Sequence, residues 1–426
     1  MDGWGSRARR AGAVAAAAAL AAFAALADVP AAQALDKLDI AIGKALFDRA
    51  WVPAPASTRG DDGLGPLFDA RSCAACHPKD GRGAAAFDAD GHLEGRGVVL
   101  MIGQPDGAGD PVYGRRLQID AVPGVPPEGI LGAHDTLLPD GRRQRRPQVS
   151  DLAYGPLAPE SGLTLRVAPD LHGRGAIARV PDQVLLDLER AEAARGDGIS
   201  GRARRITRPD GTVMIGRFGW KAAHPTLDEQ IGEAFFLDIG MSNSLFPAPW
   251  GDCTAAQTAC RNAPHGGGEG AATDGLEIGD PILSRVVAYV ASLKPALPQP
   301  DPTGRTEEGA RLFAATGCAA CHRPDLPTAD GKQVRLYSDL LLHDLGPGLA
   351  SGMAEPGVAA GEWRTAPLAG VSHALARDTG LLHDGRARDV NEAILWHEGE
   401  AAPTIQRFKT LDDRDKAALL AFVSSL

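Results

Sequence analysis

The chain has 426 residues, room for two or three domains at about 150 residues each. Hydrophobic residues make up 44% and charged residues 23%, so sizeable cores can form and general disorder is excluded. The formal net charge of −10 argues against nucleic acid as a partner, because phosphate binding needs a basic face. Gly (52) and Pro (32) approach a fifth of the chain, against roughly 12% in average usage, while aromatics stand at 5%. That balance predicts long ordered loops around short elements, not a large β-sandwich.

At the N-terminus, Arg7, Arg9 and Arg10 precede an Ala/Leu-rich run over 11–27, followed by small-residue cleavage patterns at Ala25-Leu26-Ala27 and Ala32-Gln33-Ala34. The run is too short and too alanine-rich for a permanent span. It predicts a cleavable signal over 1–27, export to the periplasm and no stable membrane insertion.

A helix is expected over 38–49, with Ala45, Leu46 and Phe47 as its apolar patch. Cys73-Ala-Ala-Cys76-His77 comes after it. The next long stretch is rich in turn dipeptides, Asp140-Gly141, Asp197-Gly198 and Asp210-Gly211 among them, and reads as a large insertion. Its basic run Arg142-Arg143-Gln144-Arg145-Arg146 reads as a solvated loop. One helix stands out inside it, from Asp182 as N-cap to about Arg195, burying Val184, Leu185 and Leu188. Cys253 and Cys260, in a Gly/Pro-rich stretch, most simply form a disulfide in an oxidising compartment.

An amphipathic helix over 282–293 closes the first half, and a proline-rich linker spans 295–302. Thr306–Thr316 then reads as a helix with a Thr N-cap and an acidic first turn. It turns Leu312 and Phe313 toward a second copy of the cysteine motif, Cys318-Ala-Ala-Cys321-His322. A closing helix over 416–426 repeats the apolar character of 282–293.

Two copies of C-x-x-C-H are the attachment signature of c-type haem. Two thiols form thioethers to the vinyl groups, and the adjacent His ligates iron. Zinc would need two such pairs close in sequence, and a thioredoxin-type dithiol needs no following His. The predicted cofactors are therefore two covalent haem c groups, held by Cys73, Cys76, His77, Cys318, Cys321 and His322. The basic run 142–146 has an alternative reading as salt-bridge partners for the propionates of a haem, given the preference of Arg for paired carboxylates. The flanking helices repeat around each motif, which predicts a mainly α chain of two cytochrome c-like domains, over 28–294 with the large insertion and over 303–426.

Beyond the generic motif, several phrases resemble the bacterial diheme peroxidase superfamily, most closely its diheme oxidoreductases. They are Asp62–His77, Gly216-Arg-Phe-Gly-Trp-Lys-Ala222, Leu340-Leu-Leu-His-Asp-Leu-Gly346, Glu362–Pro367, Leu381-Leu-His-Asp-Gly-Arg-Ala387 and Glu392-Ala-Ile-Leu-Trp-His397. The resemblance implies a Trp between the haems, matched by Trp220, and an active-site Gln ten residues later, matched by Gln230. The family's active-site Glu has its nearest counterpart in Asp238, two residues early and one methylene shorter. Fourteen residues after the His of its His-Asp-Gly loop the family carries a Met ligand. Here His383 is followed at that distance by His397, so the resemblance implies a bis-His second haem of lowered potential. Met353, the one Met after the second motif, is the alternative ligand. A displaceable His of the first haem is matched weakly by His92, with His134, His172 and His224 as further candidates.

The implied activity is peroxide reduction at the first haem, with Gln230 and Asp238 handling protons and Trp220 passing electrons. Electrons would enter at the second haem from a small cytochrome c or copper protein. Calcium is implied by the resemblance alone. Two alternatives are a diheme electron carrier without a substrate site and, ranked third, an oxidase of organic or protein substrates. The branch with that last activity carries Tyr where this chain has His397.

Overall fold

The structure, a computed structural model, describes residues 36–57, 62–267, 275–300 and 304–426. The expected leader over 1–27 lies outside them. In chain order the seven longest helices are α1 (Lys37–Asp48), α2 (Asp182–Arg195), α3 (Leu227–Asp238), α4 (Asp280–Ser292), α5 (Thr306–Thr316), α6 (Ala402–Thr410) and α7 (Asp413–Ser425). α1 packs on α4 and α5 packs on α7, so each haem motif comes after the opening member of a helix pair.

Both pairs cross through a glycine. A Cβ on Gly43 of α1 would meet the Arg285 carbonyl of α4, and one on Gly309 of α5 would meet the Ala418 carbonyl of α7. Only a residue without a side chain lets the axes approach so closely. Asp412 caps α7, its side chain accepting from Asp415 N at 2.8 Å, so this helix starts three residues before the expected 416. Two other caps also differ from expectation. α5 is preceded by Arg305, with Thr306 already helical, and α2 by Pro181, with Asp182 ion-paired to Arg217 instead.

The expectation of a mainly α protein is overturned: the chain is 32% helix and 20% strand, in many small sheets. The strands concentrate between the first motif and α2. β1 (Val98–Gly103) sits between β2 (Arg116–Leu117) and β5 (Gly162–Val167) in an antiparallel sheet. β3 (Ile130–Leu137) and β4 (Arg143–Ser150), eight residues each, form a hairpin around the Asp140-Gly141 turn. The sequence hid these strands in two ways. β1 is a continuous apolar run, as a strand covered on both faces must be, and β4 is basic over its first half. Composition also misleads, because short sheets need few aromatics.

The basic run 142–146 is therefore strand and not solvated loop. Arg145 is buried and forks onto Asp135 at 2.8 Å, while Arg142 pairs with Asp140 and Glu398 and lies over the Trp396 ring at 4.5 Å. Cys253 and Cys260 are disulfide-bonded. Lys37–Leu426 forms one compact unit, in which Arg202 and Leu342 exchange backbone hydrogen bonds at 2.9 Å and Arg202 forks onto Glu362. Among the described residues no helix is long and apolar enough to cross a membrane.

Candidate haem sites

The first motif begins with a single helical turn, Cys73–Cys76, capped by Ser72, whose hydroxyl accepts from Ala75 N at 3.2 Å. His77 stands at its end. Its Nδ1 donates to Gly81 O at 3.2 Å, and because a carbonyl only accepts, the ring proton sits on Nδ1 and the Nε2 lone pair stays free. Burial pushes the imidazole down to about 4, so it is neutral at ordinary pH. Burial likewise pushes the Cys73 and Cys76 thiols up to about 12, which suits a thioether better than a thiolate nucleophile.

These groups line a cavity of about 180 Å³ whose opposing lining comes largely from α3. Thr226 caps its N-terminus, its hydroxyl accepting from Glu229 N at 3.2 Å and donating to Glu229 Oε1 at 3.0 Å. Leu227, Gln230, Ile231, Ala234 and Asp238 then recur at helical spacing along one stripe and enter the cavity lining together. Gln230 Oε1 is buried without a hydrogen-bond partner. Asp238 is ion-paired with Arg116, which also lines the cavity.

Sequence reasoning missed the acid at the centre of this wall. Glu233 Oε2 meets His224 Nε2 at 2.8 Å, and its Oε1 meets Arg115 at 3.3 Å. Burial alone would raise its carboxyl, but the His224 hydrogen bond and the charges of His224, Arg115 and Arg116 outweigh it and hold the group well below the usual carboxylate range. Its position three residues after Gln230 on an amphipathic helix was the available signal, and no motif matched it.

The second motif comes directly after α5. His322 Nδ1 donates to Tyr337 O at 3.0 Å and His397 Nδ1 to Ala393 O at 2.8 Å, so both rings keep Nε2 free. Their centres lie 6.4 Å apart. Two nitrogen–metal bonds of about 2 Å each, with each ring centre roughly 1 Å behind its nitrogen, give about 6 Å for coaxial ligands. Burial lowers both imidazoles, His322 to about 4. The two histidines line a cavity of about 250 Å³ with Cys318, Cys321, Phe313 and His383, the last stacked on Trp363 at 3.8 Å. Leu312 is not in this lining, contrary to expectation, and neither is Met353, which packs against Gly103.

A family model described as "Di-haem oxidoreductase, putative peroxidase" matches residues 11–93 and 157–426. The chain belongs to this di-haem oxidoreductase family. Two cavities here each combine a C-x-x-C-H turn with an imidazole whose Nε2 is free. The interval outside the match contains β1 to β4, while β5 and the short strands after it lie within the matched residues. A solved structure of hydrazine synthase from Kuenenia stuttgartiensis, pressurised with xenon, is similar over 92% of this chain and 88% of that one, at 13% identity and a TM-score of 0.41. No curated protein matches the chain.

Trp220 lines both cavities of the oxidoreductase, as do Arg174 and Pro169. Its indole Nε1 donates to Val167 O at 2.8 Å, and the Arg82 guanidinium lies 5.4 Å from its ring centre. Of the remaining histidines, His224 enters the first cavity and His172 the second. His92 is half-exposed beside Asp88 and His134 is exposed on β3; neither lines a cavity.

Proposed function

We propose that this oxidoreductase is a periplasmic peroxidase-type enzyme with two covalent haem c groups, reducing peroxide at the cavity of Cys73, Cys76 and His77. His77 would ligate the first iron, and His322 with His397 the second. The haems supply the redox equivalents and the metal centre at which an O–O bond is broken.

The observation that carries the reading is the contrast between the cavity walls. The first brings an unpartnered Gln230 amide oxygen and Asp238 into one lining with the hydrogen-bonded His224–Glu233 pair, a pair able to move a proton. The second offers facing imidazoles and a largely apolar wall, suited to holding an electron and not a substrate. His224 keeps Glu233 ionised, and the Gln230 amide, its oxygen unpartnered inside the protein, is free to engage a small polar guest. Trp220, in both linings, provides an aromatic bridge between them. A small cytochrome c or copper protein would deliver electrons at the second site.

The test combines mass, spectra and turnover. Intact mass and pyridine haemochrome should give two haems per chain. The half-reduced protein should show high-spin iron at one site only and be reoxidised by hydrogen peroxide, with Gln230→Ala slowing reoxidation. Two low-spin haems inert to peroxide would establish an electron carrier and refute the enzyme.

A further inference from the structure

Three arginines line the second cavity without a direct ion pair. The charges of Asp170 and Asp384 reach Arg82, that of Asp170 reaches Arg174 and that of Asp339 reaches Arg364, each only from beyond that distance. Arg174 and Arg364 are 8% and 3% exposed, and Arg82 is half-buried. Their hydrogen bonds go to backbone carbonyls alone: Arg82 Nε to Gly380 O at 2.8 Å and Nη2 to Leu382 O, Arg174 Nε to Asp170 O at 2.7 Å, and Arg364 Nε to Gly219 O at 2.9 Å and Nη1 to Thr365 O at 3.0 Å. Among the described residues none of the three lies within ion-pair distance of a carboxylate. Asp170 on the same wall is held by His172 at 2.8 Å. Burial lowers all three guanidiniums, to about 10 for Arg82 and about 9 for Arg364, and the Arg174 charge also lowers Arg364.

Buried cations without partners are costly and persist where an anion completes them. Arg174 keeps both Nη open, the fork that carboxylates take in two-pronged pairs, while Arg82 Nη1 and Arg364 Nη2 are each left to donate to a single carboxylate oxygen. The basic run 142–146, the stretch whose composition suggested such a role, is occupied by Asp135, Asp140 and Glu398. Arg174 differs from the other two because it lines both cavities.

We infer that Arg82, Arg174 and Arg364 form a carboxylate cradle for the haem propionates, with Arg174 a single cation shared by both haem sites. The inference rests on the reading of two haem-filled cavities and adds an electrostatic link between them. A cation beside an iron disfavours its more positive, oxidised state, so removing the cation lowers the midpoint potential. Arg174 should therefore act on both haems and Arg364 on the second alone.

The experiment is spectroelectrochemical titration of the holoprotein, with haem counted by pyridine haemochrome. Fewer than two haems in the wild type would defeat the reading of the cavities and not the cradle. With two present, Arg174→Gln should lower both midpoint potentials, Arg364→Gln only the second, and Arg174→Lys should stay near wild type. Propionate bending bands in the resonance Raman spectrum should shift in both Gln variants. An Arg174→Gln protein that holds two haems and moves neither potential, or only one, overturns the shared cation. If Arg174→Gln fails to load haem, loading restored by Arg174→Lys supports the charge, and loading lost in both overturns it.

Discussion

The two glycine crossings allow the repeat to be tested one half at a time. In Gly309→Ala the new methyl would run into the Ala418 carbonyl and lie 2.9 Å from that residue's carbonyl carbon; in Gly43→Ala it would run into the Arg285 carbonyl and lie 2.9 Å from Tyr289 Cβ. Overpacking of this kind costs about 1–3 kcal/mol, and the upper end applies because the obstacle is backbone and cannot rotate away. Alanine regains about 1 kcal/mol of helix propensity over glycine. The net expectation is destabilisation of about 2 kcal/mol per variant; for the single unit Lys37–Leu426, at about 2.1 cal/mol/K of unfolding entropy per residue, that is a fall in melting temperature of roughly 2–3 °C. Thermal unfolding followed at the haem absorption would measure it. Gly43→Ala should disturb the first haem site, whose lining includes Phe47 and His77, and Gly309→Ala the second, whose lining includes Phe313. An unchanged or raised melting temperature in either variant would mean that the helices have room for a methyl group at the crossing.

His397→Met should raise the potential of the second haem, since thioether favours ferrous iron relative to imidazole, and leave the first haem's spectrum unchanged. Glu233→Gln should slow peroxide-driven reoxidation by about 10²–10⁴, the range for loss of a positioned proton-transfer group. The same variant should blunt acid unfolding: the folded Glu233 lies below its unfolded value, so its contribution is present above the usual carboxylate range and is lost as pH falls through it. Lys221, buried with its Nζ 3.9 Å from the centre of the Trp363 ring, is pushed by burial down to about 7, below its ordinary 10.5. The unfolded chain then holds more protons between those values, so stability should rise with pH from about 7 to 10.5, and Lys221→Met should flatten the rise in pH-resolved melting curves.

Much of the site was legible because covalent and metal chemistry demand fixed spacings. C-x-x-C-H located both turns, and the ten-residue step from Trp220 to Gln230 carried over a phrase that the structure brings into one cavity. The helices at 37–48, 182–195, 280–292 and 306–316 followed from apolar periodicity, with errors confined to caps, where one residue decides the boundary. What stayed hidden depends on pairing over long separations. Glu233 becomes notable only once His224 lies across from it, and the strands only once β5 returns to cover β1. The arginines showed the reverse error: a conspicuous run proved to be paired, while the three isolated ones had no local signal at all.

The strand content also bears on how the haem walls are held. Val167, the last residue of β5, donates its N–H to His383 O at 2.8 Å and accepts the Trp220 indole at its own carbonyl. One residue thus fixes the indole that lines both cavities and the loop that carries His383. β4 acts on the other side of the same site. Arg143 N donates to Glu392 at 2.6 Å, Arg142 reaches Leu395 O and Glu398, and Arg145 reaches Asp384 O at 3.2 Å. The helix Val390–Leu395 that presents His397 is therefore tied at both ends to a hairpin more than two hundred residues earlier in the chain. Glu392, 6% exposed, would be left with fewer partners if the hairpin were absent, and a buried carboxylate short of donors is costly. The hairpin thus shares with the local Nδ1 hydrogen bond the work of holding His397 across from His322, which gives the segment outside the family match a direct part in setting the second site.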